Sequence, residues 1–233
     1  MEKPNKELVI RTGIVGMFAA ALVGLGECFL HFDPNPDHLV DDGTYLFMRE
    51  IPRWRLTWGH FLAVLGTPFY LVGMYHLYLG LKPFGERTPG FRYLPLLVFL
   101  VACFGFMMGT VWIGSRVSIA LLVQAQVAAG GDDATLAALI QAYIDHYESL
   151  LAIIRFTTLF TSIAFVVMIL FNRTLYPRWM AIFSPIVLLV LQFVLLITVP
   201  AIGIFTAPIA LNVGYFIFFA LSTSVLATVC NPT

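Results

Sequence analysis

Apolar residues fall into six long blocks, parted by short clusters of proline, glycine and charge. The blocks cover about residues 9–31, 57–81, 93–118, 149–171, 179–199 and 205–229. Each is close to the roughly 20 apolar residues a helix needs to cross about 30 Å of hydrocarbon. The pattern predicts an all-α fold: an integral membrane bundle of six transmembrane helices, forming a single transmembrane domain over residues 1–233.

The separators carry their own signals. Residues 32–58 hold Asp33, Pro34, Pro36, Asp37, Asp41 and Asp42, then a tryptophan-rich run to Trp58. This segment predicts an ordered extracytoplasmic loop between helices 1 and 2, with Trp54 and Trp58 at the membrane surface as a lid. Lys82 to Gly90 reads as a turn-rich loop. Gly130-Gly131-Asp132-Asp133 sits between helix extensions made polar by Gln124, Gln126, Gln141, Asp145 and Glu148. The break near Pro200 and Pro208 carries no charge, so spans five and six form a tight hairpin. Small residues four apart (Gly16, Ala20 and Gly24; Gly105 and Gly109) let helices approach closely.

Orientation follows from lysine and arginine. With the N-terminus inside, the inner segments hold Lys3, Lys6, Arg11, Lys82, Arg87, Arg92, Arg173 and Arg178; the outer ones hold Arg49, Arg53 and Arg55. That bias predicts cytoplasmic N- and C-termini. The first apolar block reads as an uncleaved span rather than a leader.

Composition narrows the class further. The chain is 60% hydrophobic and 11% charged, against about 25% charged in an ordinary soluble domain. Its formal net charge is zero, so no global field favours nucleic acid. Cys28, Cys103 and Cys230 lie in separate apolar blocks, which disfavours a disulfide framework or a structural zinc cluster. No lysine lies within a span, and neither a phosphate loop nor a Gly-x-Ser-x-Gly elbow occurs.

Ionisable residues inside spans are costly and need a reason. In the predicted orientation Glu27, His31, His60, Trp112, Arg116, Glu148 and Arg155 fall at one depth, in the outer half. Glu27 and His31 share a helix face, as do Trp112 and Arg116. Asp145, Glu148 and Arg155 lie on one stripe of span four. Glu27, His31 and His60 match the ligand set of a catalytic divalent metal such as zinc, with Asp33 or Glu148 as a further ligand or general base. The alternative pairs Glu27 with Arg116 or Arg155 and leaves the histidines capping helix ends. His60 and His76 lie about 160° apart around one helix, which disfavours a two-haem cytochrome. His76 reads as interfacial. Asn212, Tyr215 and Ser222 serve either a cavity or interhelical hydrogen bonds.

Tyr176-Pro177-Arg178-Trp179, followed by Ser184-Pro185, resembles a group of bacterial multi-pass membrane proteins with no assigned activity. Gly26-Glu27 and Gly59-His60 fit the same group. The resemblance implies a bacterial inner-membrane protein.

The reading that unites these features is a membrane-embedded enzyme acting on a lipid or amphipathic substrate from the outer leaflet. Glu27, His31, His60 and Glu148 are its candidate catalytic residues. Trp112, Arg116, Asp145 and Arg155 are candidates for binding substrate. The alternatives are a non-catalytic receptor or carrier for a small anion or lipid, and a structural membrane subunit. The partners expected are the lipid bilayer and a lipid or anionic small molecule.

Overall fold

The computed structural model describes residues 4–33, 46–131 and 133–230. Its described residues form helices and turns, without strands. The helices are α1 (Lys6–His31), α2 (Arg53–Arg87), α3 (Leu94–Ala128), α4 (Ala134–Leu170), α5 (Pro185–Thr198), α6 (Pro200–Thr206) and α7 (Ala210–Val229). Five of them are long and apolar enough to cross a membrane: α1, α2, α3, α4 and α7 with the turn before it. Large apolar side chains stay exposed in ridges along them, such as Phe156, Leu159, Ile163, Val167 and Leu170 on α4. A water-facing helix would bury that stripe.

The fifth predicted span is the one the structure shortens. Residues 178–183 wind as a 3-10 turn, and α5 holds only 14 residues between Pro185 and the break at Val199. A proline cannot continue a helix behind it, and it pushes the preceding residue out of the helical region. Ser184 and Val199, the residues before Pro185 and Pro200, accordingly lie outside that region. α6 then folds back on α5 so closely that a Cβ on Gly203 would lie 2.2 Å from the Leu196 Cα. The α7 helix also packs on α5, where a Cβ on Gly214 would lie 3.3 Å from the Leu188 Cβ, so the fifth and sixth apolar blocks lie side by side.

Two other boundaries move. α2 runs on to Arg87 with Pro68 and Pro83 inside it, so the expected turn at Lys82 is helical. α3 and α4 extend past the apolar blocks, as the polar residues there predict, and meet at Gly130 and Gly131. Both glycines have positive φ, 97° and 87°, a conformation that side chains with a Cβ avoid. Asp133 then caps α4 by accepting from the Thr135 and Leu136 amides.

Residues 34–45 of the expected outer loop lie outside the described residues. Its described end, 46–51, is tied to α3: Gln124 Nε2 donates to the Met48 and Ile51 carbonyls at 3.2 and 2.8 Å. Trp54 and Trp58 stand in the first turns of α2, both exposed, and not in a lid. Beside them Arg55 closes the end of α1, donating to the Phe29 and Phe32 carbonyls at 2.9 and 2.7 Å. A cation at a helix C-terminus satisfies orphan carbonyls and suits the helix dipole.

The helices α1, α2, α3, α4, α5 and α7 follow one another around the bundle, and α7 closes against α1. The α1–α2 seam is the closest, with Gly26 against Gly59. Gly16 and Gly24 face Phe219 and Asn212 of α7, and Gly105 faces Thr157, so these small residues serve packing within the chain. The seam between α4 and α5 is sparsely packed by comparison.

His76 corrects the sequence reading. It is fully buried, because α2 continues eleven residues beyond it. Its Nε2 lies 2.7 Å from Ser222 Oγ, and Tyr176 Oη lies 2.9 Å from the same oxygen. Its Nδ1 lies 3.0 Å from the Val9 carbonyl. A consistent assignment has Tyr176 donating to Ser222, Ser222 to Nε2, and Nδ1–H to Val9. The chain joins α1, α2, α7 and the segment after α4 at the end remote from Glu27. Replacing His76 by leucine should cost about 1–3 kcal/mol by leaving buried partners unpaired. A lowered unfolding midpoint in detergent, with cavity binding retained, is the expected result.

Candidate functional site

A cavity of about 430 Å³ opens inside the ring of helices. Every helix except α6 contributes to its wall: Glu27 and His31 from α1, Thr67 and Tyr70 from α2, Phe106, Gly109 and Trp112 from α3, Leu151, Ile154 and Arg155 from α4, Leu189 and Phe193 from α5, and Asn212 and Tyr215 from α7. Small residues create the space. A Cβ on Gly109 would meet nothing within 4 Å, so this position faces open volume.

The threonines make the wall less polar than the sequence suggests. Thr67, Thr110, Thr157 and Thr161 each turn the hydroxyl back to a carbonyl one helical turn earlier: Ala63, Phe106, Ile153 and Thr157. That arrangement satisfies the hydroxyl locally. Thr67 and Thr110 also bond to each other across the α2–α3 seam.

One polar chain crosses the bundle. Tyr70 Oη donates to Asn212 Oδ1 at 2.6 Å, and Asn212 Nδ2 donates to Glu27 Oε2. Both ends of the Asn212 amide are therefore engaged. Gly24 makes room for it, since a Cβ there would lie 3.2 Å from the Asn212 Cβ. Among the described residues, Glu27 thus takes an amide partner from α7 and not the arginine partner that the ion-pair alternative required.

His31 and Trp112 form a second feature. Their rings stack at 5.8 Å with 26° between planes. The Arg116 guanidinium, buried, lies over the indole at 4.6 Å. The His31 ring lies near the backbone carbonyl of Glu27, one turn earlier. Its Nε2 and the Trp112 Nε1 are both buried without a hydrogen-bond partner among the described residues.

The structure separates the remaining expected residues from the cavity. His60 turns toward α3, where its Cε1 would lie 3.3 Å from a Cβ on Gly114. Asp145 accepts from Gln141 at 2.8 Å on the exposed face of α4. Glu148 pairs with Arg155 at 3.5 Å, with both side chains more than half exposed. Of that pair only Arg155 reaches the cavity wall. No three histidine, cysteine, aspartate or glutamate side chains come together among the described residues. The expected three-ligand set of Glu27, His31 and His60 is thus not assembled, because His60 faces a different seam. Tyr70 and the threonines were absent from the expected site, since single hydroxyls in an apolar span carry little sequence signal. Asn212 and Tyr215 were legible as lone polar residues on span six; both line the cavity, and Asn212 makes interhelical hydrogen bonds as well.

The chain belongs to a family of unknown function, DUF6796, whose profile matches residues 3–228. That agrees with the resemblance to a group without assigned activity. No curated protein and no solved structure matches the chain.

Proposed function

We propose that this family member is a multi-pass membrane protein whose cavity binds an amphipathic, lipid-like molecule. The observation that carries the reading is the cavity's division of labour. Apolar side chains, glycines and threonines line most of it, while carboxylate, imidazole and guanidinium groups are confined to Glu27, His31 and Arg155. Ligand sites generally combine an apolar lining with a few placed polar groups, and 430 Å³ lies within their usual ~300–1,000 Å³. The lysine and arginine bias supports cytoplasmic termini in a bacterial inner membrane, with Glu27 and His31 toward the outer leaflet. α1 and α7 pack antiparallel, which supports both termini on one side. We read α5 as a short sixth pass.

The test uses Gly109→Phe, whose Cβ meets nothing within 4 Å and whose ring would occupy cavity volume. Native mass spectrometry of wild-type protein in mild detergent should show a retained amphiphile, at least tenfold depleted in the variant. Equal retention in both would place the ligand elsewhere and sink the reading.

A catalytic reading is favoured by one observation: Glu27 and His31 both reach the cavity from one helix face. In it, one of them moves a proton at the bound head group. Conversion of the retained amphiphile on incubation, absent in Glu27→Gln, separates an enzyme from a receptor.

A further inference from the structure

We infer that the polar end of the cavity is a site for a carboxyl head group, so that the ligand class is a single-chain fatty acid. The inference rests on the cavity reading above and goes further by naming the head group.

The donors and acceptors decide it. An indole nitrogen only donates, so the unpartnered Trp112 Nε1–H needs an acceptor. The His31 Nε2 is buried beside it, equally without a partner, and an imidazole nitrogen can accept or, when it carries a proton, donate. As an acceptor Nε2 needs a donor, and as N–H it needs an acceptor. One stacked pair of rings, from α1 and α3, thus leaves one donor and one nitrogen able to take either role on residues that line the same cavity. A carboxylic acid carries the complementary pair: its carbonyl accepts from Trp112, and its hydroxyl donates to His31. If the proton moves to the imidazole, the carboxylate accepts from both nitrogens. Both hydrogen bonds survive either position of the proton.

Other head groups match less well. An alcohol offers one oxygen to two rings. An ester carbonyl serves Trp112 but brings nothing to Nε2. A phosphate brings more oxygens than the two nitrogens serve, and an amine brings no acceptor for the indole. The Arg116 guanidinium over the indole places a positive charge beside the site, which favours an acid over an amine. Glu27 does not compete for either ring, since its side chain is held by Asn212. The volume, toward the lower end for small-molecule sites, suits one acyl chain better than the two of a bilayer phospholipid.

Buried hydrogen bonds to a ligand carry large selectivity when the analogue lacks the group. The test therefore measures binding of radiolabelled palmitic acid to the full chain in phosphocholine nanodiscs. Methyl palmitate, a single-chain phosphate and hexadecylamine serve as competitors. Saturable binding is expected at one site, with methyl palmitate competing at least tenfold more weakly than unlabelled palmitic acid. This comparison uses only wild-type protein. Trp112→Phe, which keeps a ring under Arg116, should weaken palmitate at least tenfold, and Gly109→Phe should abolish binding. Equal competition by methyl palmitate, or unchanged affinity in Trp112→Phe, overturns the carboxyl site while leaving the cavity reading intact. Preference for the phosphate or the amine overturns it in the same way. Absence of binding by every single-chain probe overturns both.

Discussion

Gly26→Leu should leave no folded protein. A Cβ at this position would lie 2.6 Å from the Gly59 carbonyl oxygen and 2.7 Å from the Ala63 amide nitrogen. Both obstacles are backbone of α2, so no rotamer change relieves the clash and the two helices must separate. Overpacking that a core can absorb costs about 1–3 kcal/mol. Here the displaced unit is the most closely packed seam of the bundle, and the cost should exceed about 4 kcal/mol, in the range reserved for gross steric conflict. The expected result is loss of the monodisperse peak in detergent chromatography. Gly90→Leu is the control, because a Cβ there meets nothing within 4 Å. A well-folded Gly26→Leu variant would show that the α1–α2 contact is not as close as described.

The second large effect belongs to Asn212. Replacing it with leucine strips the acceptor from the Tyr70 hydroxyl and the donor from the Glu27 carboxyl in one step. A buried polar group left unpaired costs about 1–3 kcal/mol, and more when charged, so the variant should lose about 2–5 kcal/mol. Removing the stranded groups should restore part of that loss. Asn212→Leu combined with Tyr70→Phe and Glu27→Leu is thus expected to be more stable than Asn212→Leu alone. Unfolding midpoints in a denaturing-detergent titration give the comparison. Strict additivity of the three changes would show that the residues do not act as one unit.

The long apolar blocks made most of the architecture readable, because length and hydropathy suffice where a block is uninterrupted. They misled at residues 179–199. Hydropathy there is continuous, but Pro185 and Pro200 set the helix ends, and a backbone constraint overrides composition. Pro83 misled in the opposite direction: it stands beside Gly85 and charge, yet α2 passes through it. That single extension explains His76, which reads as interfacial only if the helix stops soon after it.

The candidate site was legible in depth and less so in angle. Glu27, His31, Trp112 and Arg155 do reach one cavity, since alternating helices bring those levels together. Asp145 and Glu148 share the stripe of Arg155 but lie on an exposed stretch of α4. His60 is one residue from Gly59, which faces α1, and that step of about 100° turns it to another seam. Arg55 was counted only as an outer charge. Its role in closing α1 depends on a helix end that no residue pattern announces.

The short α5 has a consequence for the surrounding bilayer. Fourteen residues span about 21 Å, against about 30 Å of hydrocarbon. With α5 as the proposed sixth pass, the apolar flank beside it is shorter than the flanks made by α2, α3 and α4, and lipids there would shorten their chains to match it. Such mismatch costs fractions of a kcal/mol per ångström. With α5 as that sixth pass, the molecule would be a lopsided inclusion in the membrane, with compressed, less ordered acyl chains along the flank where the helix ring is least tightly closed.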